Sequence, residues 1–197
     1  MSLHLKKSNS IIFHIPKTGG TWVHRALEAA GVDFIPFHKY SPHNTYTQEP
    51  TLQGKFTIAF VRHPVSYYKS YWAYRMRTKW VSGWYLDDYC RSDNFEQFLL
   101  NVLEKKFPYV TWEFKRYGVF NPQIINFVGK QENLVEDLVW VLKFLNEKFD
   151  EEKLRKTPPQ NVSNLKVSCS QEIIRKICEL EKEVIKYFRY EDKDIRL

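Results

Sequence analysis

The sequence predicts an α/β fold of three layers, with a mostly parallel central sheet flanked by helices. Three observations predict it. Short β-rich runs alternate with stretches of helical periodicity along the chain. One of these runs, Phe56 to Val61 (FTIAFV), is nearly continuous in apolar residues, as parallel strands covered on both faces are. The 197 residues contain no internal repeat, low-complexity tract or Gly/Ser linker, so the chain reads as a single domain over 1–197, long enough to bury about 70% of its unfolded surface.

The elements follow in order. Ile11 to Ile15 (IIFHI) is β-rich, and Thr21 to Ala30 (TWVHRALEAA) puts Trp22, Ala26 and Ala29 on one side of a helix that Gly31 stops. Strand, tight turn and helix therefore open the chain. After a short apolar run, Phe34 to Phe37, comes the FTIAFV strand, and Pro64 then begins a helix, since a first helical position has no use for the N–H that proline lacks. Phe95 to Leu103, the strand-like Ile124 to Val128 and a helix from Leu134 to Leu145 come next. A last amphipathic helix covers Gln171 to Phe188, with Ile173, Ile177, Leu180 and Val184 inward.

Composition narrows the function. Hydrophobic residues are 43% and charged residues 27%, and no apolar run approaches the roughly 20 residues that span a bilayer, which excludes a transmembrane protein. No basic stretch leads into an apolar one at the start, so secretion is not expected. Cys90, Cys169 and Cys178 are an odd, widely spaced set that fits neither a disulfide framework nor paired zinc ligands, and the expectation is reduced thiols in a cytoplasmic protein. The 30 Lys and Arg against 23 Asp and Glu give +7, which favours an anionic partner: nucleic acid, headgroups or a phosphorylated small molecule. All six histidines lie in the first third, and two of the seven glycines are adjacent.

Those glycines belong to the turn Pro16-Lys17-Thr18-Gly19-Gly20-Thr21, which runs straight into the first helix. Glycines let backbone N–H groups curl around an anion, and a helix start adds unpaired amides and the positive end of its dipole. Lys17 adds a full charge; Thr18 and Thr21 add hydroxyls. A nucleotide-triphosphate loop has its lysine after the second glycine, with a hydroxyl beside it for Mg²⁺, whereas Lys17 precedes the glycines. Such a site also wants an acidic residue at a neighbouring strand end, and FTIAFV runs into Arg62-His63-Pro64. The expected ligand is an anion neutralised by the protein, without metal.

HIPKTGGTW, at His14 to Trp22, resembles the 5′-phosphosulfate loop of sulfotransferases that use 3′-phosphoadenosine 5′-phosphosulfate (PAPS), in the PKTGGT spelling of the carbohydrate-type and bacterial branches. VRHPVSYYKSYW, at Val61 to Trp72, resembles that family's 3′-phosphate signature, an arginine at a strand end and a serine eight positions later; Arg62 and Ser70 have that spacing. FVGKQENLVEDL, at Phe127 to Leu138, is similar to the segment near the adenine, with Gln131 where cytosolic members often carry an aromatic. The resemblance covers roughly 10 to 145, and Asn161-Val162-Ser163 is only loosely similar to the family's late loop. It implies a P-loop-like sulfotransferase fold that moves a sulfuryl group from PAPS to a hydroxyl, or an amine, of a carbohydrate or other small acceptor.

The same resemblance implies the residue roles. Lys17 contacts the bridging oxygen, where negative charge builds as the S–O bond breaks. Thr18, Gly19, Gly20 and Thr21 wrap the 5′-phosphate, Trp22 stacks on adenine unless it is a core aromatic, and Arg62 with Ser70 holds the 3′-phosphate. His63 is read as structural, or as a stand-in for the asparagine or aspartate often found there, and His14 as packed beneath the loop. An attacking hydroxyl must lose a proton, which histidine suits. The family's base follows the first helix, where His38 is the choice, with His43 and Glu49 as alternatives. A zinc site from His38 and His43 lacks further ligands at suitable spacing.

The aromatic and basic stretch from Tyr67 to Tyr89 could stack bases or platform an acceptor. Helical spacing assigns Tyr67, Tyr71 and Tyr74 to the core and leaves Trp80 and Trp84, around Gly83, as candidates for a lid over the acceptor. Neither nucleic acid nor membrane is the expected partner, and the oligomeric state is left open. The rival readings are a nucleoside or nucleotide kinase and a basic nucleic-acid-binding domain.

Overall fold

Leu3, His4 and Leu5 alternate apolar, polar, apolar. In the computed structural model, which describes residues 1–37, 52–160, 165 and 167–197, they form strand β1 (Leu3–Leu5). A turn from Lys6 to Asn9 follows, with Asn9 at φ 55°. So short a turn cannot carry a parallel crossover, which needs about a dozen residues, and β2 (Ser10–Ile12) returns antiparallel with Leu3 opposite Ile12. Strand β3 (Phe34–Pro36) is also antiparallel to β1. Strands β4 (Thr57–Val61) and β5 (Phe127–Lys130) continue the sheet in parallel, β4 beside β2 and β5 beside β4.

The order among the described residues is β3-β1-β2-β4-β5. The expected mostly parallel sheet is thereby corrected to a mixed one, parallel across β2, β4 and β5 and antiparallel across β3, β1 and β2. The α/β class stands, with helices flanking the sheet. Strand β5 also begins later than expected, because Ile124 and Ile125 turn back to hydrogen-bond Asn121 O and Asn126 Oδ1 accepts the Thr57 N–H at 2.9 Å before pairing starts.

The helices are α1 (Gly20–Ala29), α2 (Pro64–Thr78), α3 (Tyr85–Tyr89), α4 (Phe95–Lys105), α5 (Tyr109–Arg116), α6 (Leu134–Phe144), α7 (Glu151–Lys156), α8 (Gln171–Leu180) and α9 (Lys182–Tyr187). The chain sorts into two units, each drawn from two separated stretches: Met1–Arg62 with Glu113–Val162, and His63–Trp112 with Ser163–Leu197. In the first unit, Leu3, Leu5, Ile12, Ile58 and Phe60 of the sheet pack with Val23, Ala26 and Leu27 of α1 and Leu138, Val141 and Leu142 of α6. A fully buried leucine such as Leu27 contributes about 1.5 to 3 kcal/mol by leaving water. This core fixes α1 and α6 against the sheet and so sets where their N-termini point.

The second unit is helical and closes around buried carboxylates. The last amphipathic stretch is two helices, α8 and α9, interrupted at Glu181, whose side chain is fully buried. Glu181 accepts from the Tyr68 hydroxyl at 2.6 Å, from the Val110 and Thr111 backbone N–H groups at 3.0 and 2.9 Å, and from the Thr111 hydroxyl at 2.6 Å. It thereby supplies acceptors to the start of α5, where helical N–H groups have no intrahelical partner. Burial pushes its carboxyl above the usual carboxylate value, against the pull of these hydrogen bonds.

Asp87 of α3 instead binds the side chains of α2. It accepts from the Tyr71 hydroxyl at 2.6 Å and Arg75 Nε at 3.0 Å, and its other oxygen pairs with Arg75 Nη2 at 2.8 Å. Tyr67 and Tyr71 are core, as their spacing predicts, but Tyr74 is exposed beside the Arg75 guanidinium, and Tyr68 is buried as well. Helix α2 buries two adjacent tyrosines, 67 and 68, which a single apolar stripe cannot anticipate.

Candidate functional site

The parallel half of the sheet directs three strand ends the same way in the first unit: the loop after β2, Arg62 after β4 and Gln131 after β5. In open α/β sheets, ligands sit at the carboxyl ends of the strands. The loop after β2 runs straight into the start of α1. Gly19 caps α1 in the left-handed region at φ 96°, and it has no side chain to occupy the N–H groups of the first turn. A Cβ there would stand 2.5 Å from Leu134 Cδ2, so a larger residue would both strain the backbone and push the end of the Leu134 side chain aside. At Gly20 a Cβ would meet the His14 ring at 2.5 Å, which puts His14 directly against the loop.

The remaining loop residues divide between support and display. Thr18 is buried, 2% exposed, and its hydroxyl donates to Ile15 O at 3.0 Å, so it braces the turn internally. Thr21 is exposed on the first turn of α1. Lys17 adopts φ 66°, unusual for a residue with a Cβ. Its carbonyl accepts a hydrogen bond from Arg62 Nη1 at 3.1 Å, and this contact ties the end of β4 to the loop after β2. The Arg62 guanidinium thus lies against the backbone of the loop that carries Lys17.

Trp22 lies in the core of the first unit, 7% exposed, and its Nε1–H donates to Thr157 O at 3.1 Å. Ser70 is half-buried on α2 in the second unit. His63, also in the second unit, is buried: its Nδ1 accepts the Val65 N–H at 3.2 Å as the N-cap of α2, and its ring meets Tyr190 edge-on. The histidine thus takes the capping role that asparagine or aspartate would fill. His38, His43 and Glu49 lie outside the described residues, as does the segment Asn161-Val162-Ser163.

The stretch holding Trp80 and Trp84 is clasped at several points: Val81 N–H to Asp87 at 2.8 Å, Gly83 N–H to Asp88 at 3.0 Å, and Trp80 Nε1–H to Asp93 at 3.3 Å. Trp84 is 48% exposed.

Sequence reasoning passed over the acidic group near the third strand end. Asp137 of α6 accepts the Lys130 N–H at 2.6 Å through one oxygen and the Asn133 amide at 2.7 Å through the other, so its carboxylate closes the β5-to-α6 connection. The signal was available, since Lys130 and Asp137 bracket a polar QEN turn of the length a 3₁₀ turn needs. Among the described residues no group of three or more His, Cys, Asp or Glu is placed to hold a metal ion, and no helix is long and apolar enough to cross a membrane. No family model matches the chain, and no curated protein or solved structure matches it.

Proposed function

We propose that the chain is a sulfotransferase that moves a sulfuryl group from PAPS to a hydroxyl or amine of a carbohydrate or other small acceptor, by in-line transfer without metal. The observation that carries this reading is the hydrogen bond from Arg62 Nη1 to Lys17 O, which brings the guanidinium after β4 to the loop that carries Lys17 and the glycine cap of α1. That donor set suits an anion with more than one charged group and offers no carboxylate at the end of β4 for a metal. The fit to the donor rests on the same groups. The amides of Gly19, Gly20 and Thr21 would hold its 5′-phosphate and Arg62 its 3′-phosphate, while Trp22 is the core aromatic that the resemblance left as its alternative.

When bound, PAPS supplies the sulfuryl group and a bridging oxygen as leaving atom. The ammonium of Lys17 stabilises the negative charge that grows on that oxygen as the S–O bond breaks, a kind of term whose removal typically costs about 10²- to 10³-fold in rate. The acceptor hydroxyl forms the new S–O bond and gives its proton to a base, for which His38 is the proposed residue.

Titration of 3′-phosphoadenosine 5′-phosphate, with and without Mg²⁺, beside ATP and a short oligonucleotide tests the reading. Metal-independent binding of the bisphosphate is expected, with Arg62→Ala lowering its affinity far more than that for adenosine 5′-phosphate. Mg²⁺-dependent ATP binding would turn the assignment to a nucleoside or nucleotide kinase, and preference for the oligonucleotide to a nucleic-acid-binding domain.

A further inference from the structure

Gln131 stands at the third strand end. It follows β5 directly and opens the 3₁₀ turn Gln131–Asn133. Its Cγ lies 3.6 Å from where a Cβ of Gly19 would stand, so its side chain runs beside the residue that caps α1. Its terminal Oε1 is buried and has no hydrogen-bond partner. Buried side-chain polar atoms are nearly always satisfied, and an unsatisfied one beside a helix start calls for a partner from outside the chain.

The chemistry of that partner follows from the neighbours. The glycine-capped first turn of α1, Lys17 and Arg62 all offer positive charge or N–H groups. An amide carries an acceptor at one position and two donors at the other, and half a turn about its last bond exchanges them. A tetrahedral oxyanion at Gly19 has oxygens to spare for one more donor.

We propose that Gln131 is a binding residue of this site, a neutral third arm whose Nε2–H donates to an oxygen of the phosphate-type group held at Gly19. Strand β2 supplies the loop, β4 the guanidinium and β5 the amide, one donor group from each parallel strand end. The inference rests on the anion-binding part of the proposed function and does not require sulfuryl transfer.

Calorimetric titration of inorganic phosphate and of 3′-phosphoadenosine 5′-phosphate against the full chain and its Gln131→Leu and Gln131→Glu variants tests it, with thermal melting to confirm that each variant folds. Gln131→Leu should weaken phosphate binding about tenfold, the scale of one hydrogen bond to a charged group. Gln131→Glu, nearly isosteric, should weaken it further by setting a carboxylate against the anion. Unchanged affinity in both variants overturns the proposal. So does tighter binding by Gln131→Glu, which would mean that the side chain accepts from the ligand. A parent chain that binds phosphate but not the bisphosphate breaks the sulfotransferase reading and leaves this inference standing; one that binds neither overturns both.

Discussion

In the first unit, charged and polar groups sit at strand ends: Lys17 on its loop, Arg62 after β4, Gln131 after β5. In the second, the carboxylates Glu181 and Asp87 are buried and their oxygens are taken by Tyr68, Val110 and Thr111, and by Tyr71, Arg75 and Val81. Both units use a helix N-terminus, yet differently. Glu181 supplies the start of α5 from within the protein, whereas Gly19 leaves the start of α1 without a side-chain cap. One helix start is supplied by a side chain of the fold and the other is capped by glycine alone, so the same backbone feature serves stability in one unit and, in the proposed function, binding in the other.

The contrast can be broken by removing either partner. The largest effect is expected at Glu181. Glu181→Ala strips acceptors from two backbone N–H groups and two hydroxyls in a buried place and should lower unfolding stability by about 3 to 5 kcal/mol, while Glu181→Gln, which keeps the shape and one acceptor, should lose less. Urea denaturation measures it, and a loss under about 1 kcal/mol for the alanine variant would show that the cluster is not what holds this unit together.

Lys17→Ala should behave in the opposite way. Turnover with labelled PAPS and an acceptor panel should fall about 10²- to 10³-fold with the urea midpoint nearly unchanged. A variant as active as the parent would remove Lys17 from the chemistry.

A smaller effect separates the units by pH. Burial raises the thiols of Cys90 and Cys178 to about 11 from an ordinary value of 9.0, and raises the hydroxyls of Tyr68 and Tyr71 in the same unit. Each of these groups keeps its proton in the fold to a higher pH than in the unfolded chain. The contribution of the two thiols is therefore whole below about pH 9 and is lost as pH rises through about 11, and that of the tyrosines is lost at higher pH. The first unit holds Tyr117 in the same condition. Urea midpoints at pH 8, 9.5 and 10.5, followed by tryptophan fluorescence with Trp22 and Trp140 replaced by Phe to leave the second unit's emitters, or with Trp72, Trp80, Trp84 and Trp112 replaced to leave the first unit's, should show the second unit weakening first. A pH-independent midpoint in the second unit would contradict it.

Much of this arrangement was legible in the residues. The turn before α1, Pro64 at the start of α2 and the buried run of β4 each carry a local signal: adjacent glycines at a helix start, proline where no N–H is needed, and an unbroken apolar strand. Strands β1 and β3 are three residues each, too short for a period to register, and their antiparallel direction follows only once Lys6 to Asn9 is known to be a tight turn. The break at Glu181 was hidden because Ile173, Ile177 and Val184 keep helical spacing across it. At the site, Arg62 and the loop were readable from charge and spacing, while the approach of Gln131 to Gly19 depends on how α6 packs, a tertiary fact with no local signature.

Lys17 at φ 66° carries one more consequence. The left-handed region costs a residue with a Cβ about 1 to 2 kcal/mol, which glycine would avoid. The backbone at this position therefore asks for the smallest residue while the proposed chemistry asks for one of the longest. A selection for thermal resistance alone should drift towards Lys17→Gly and a selection for anion capture should drift back, so the residue recovered at this one position would report which pressure the molecule had been under.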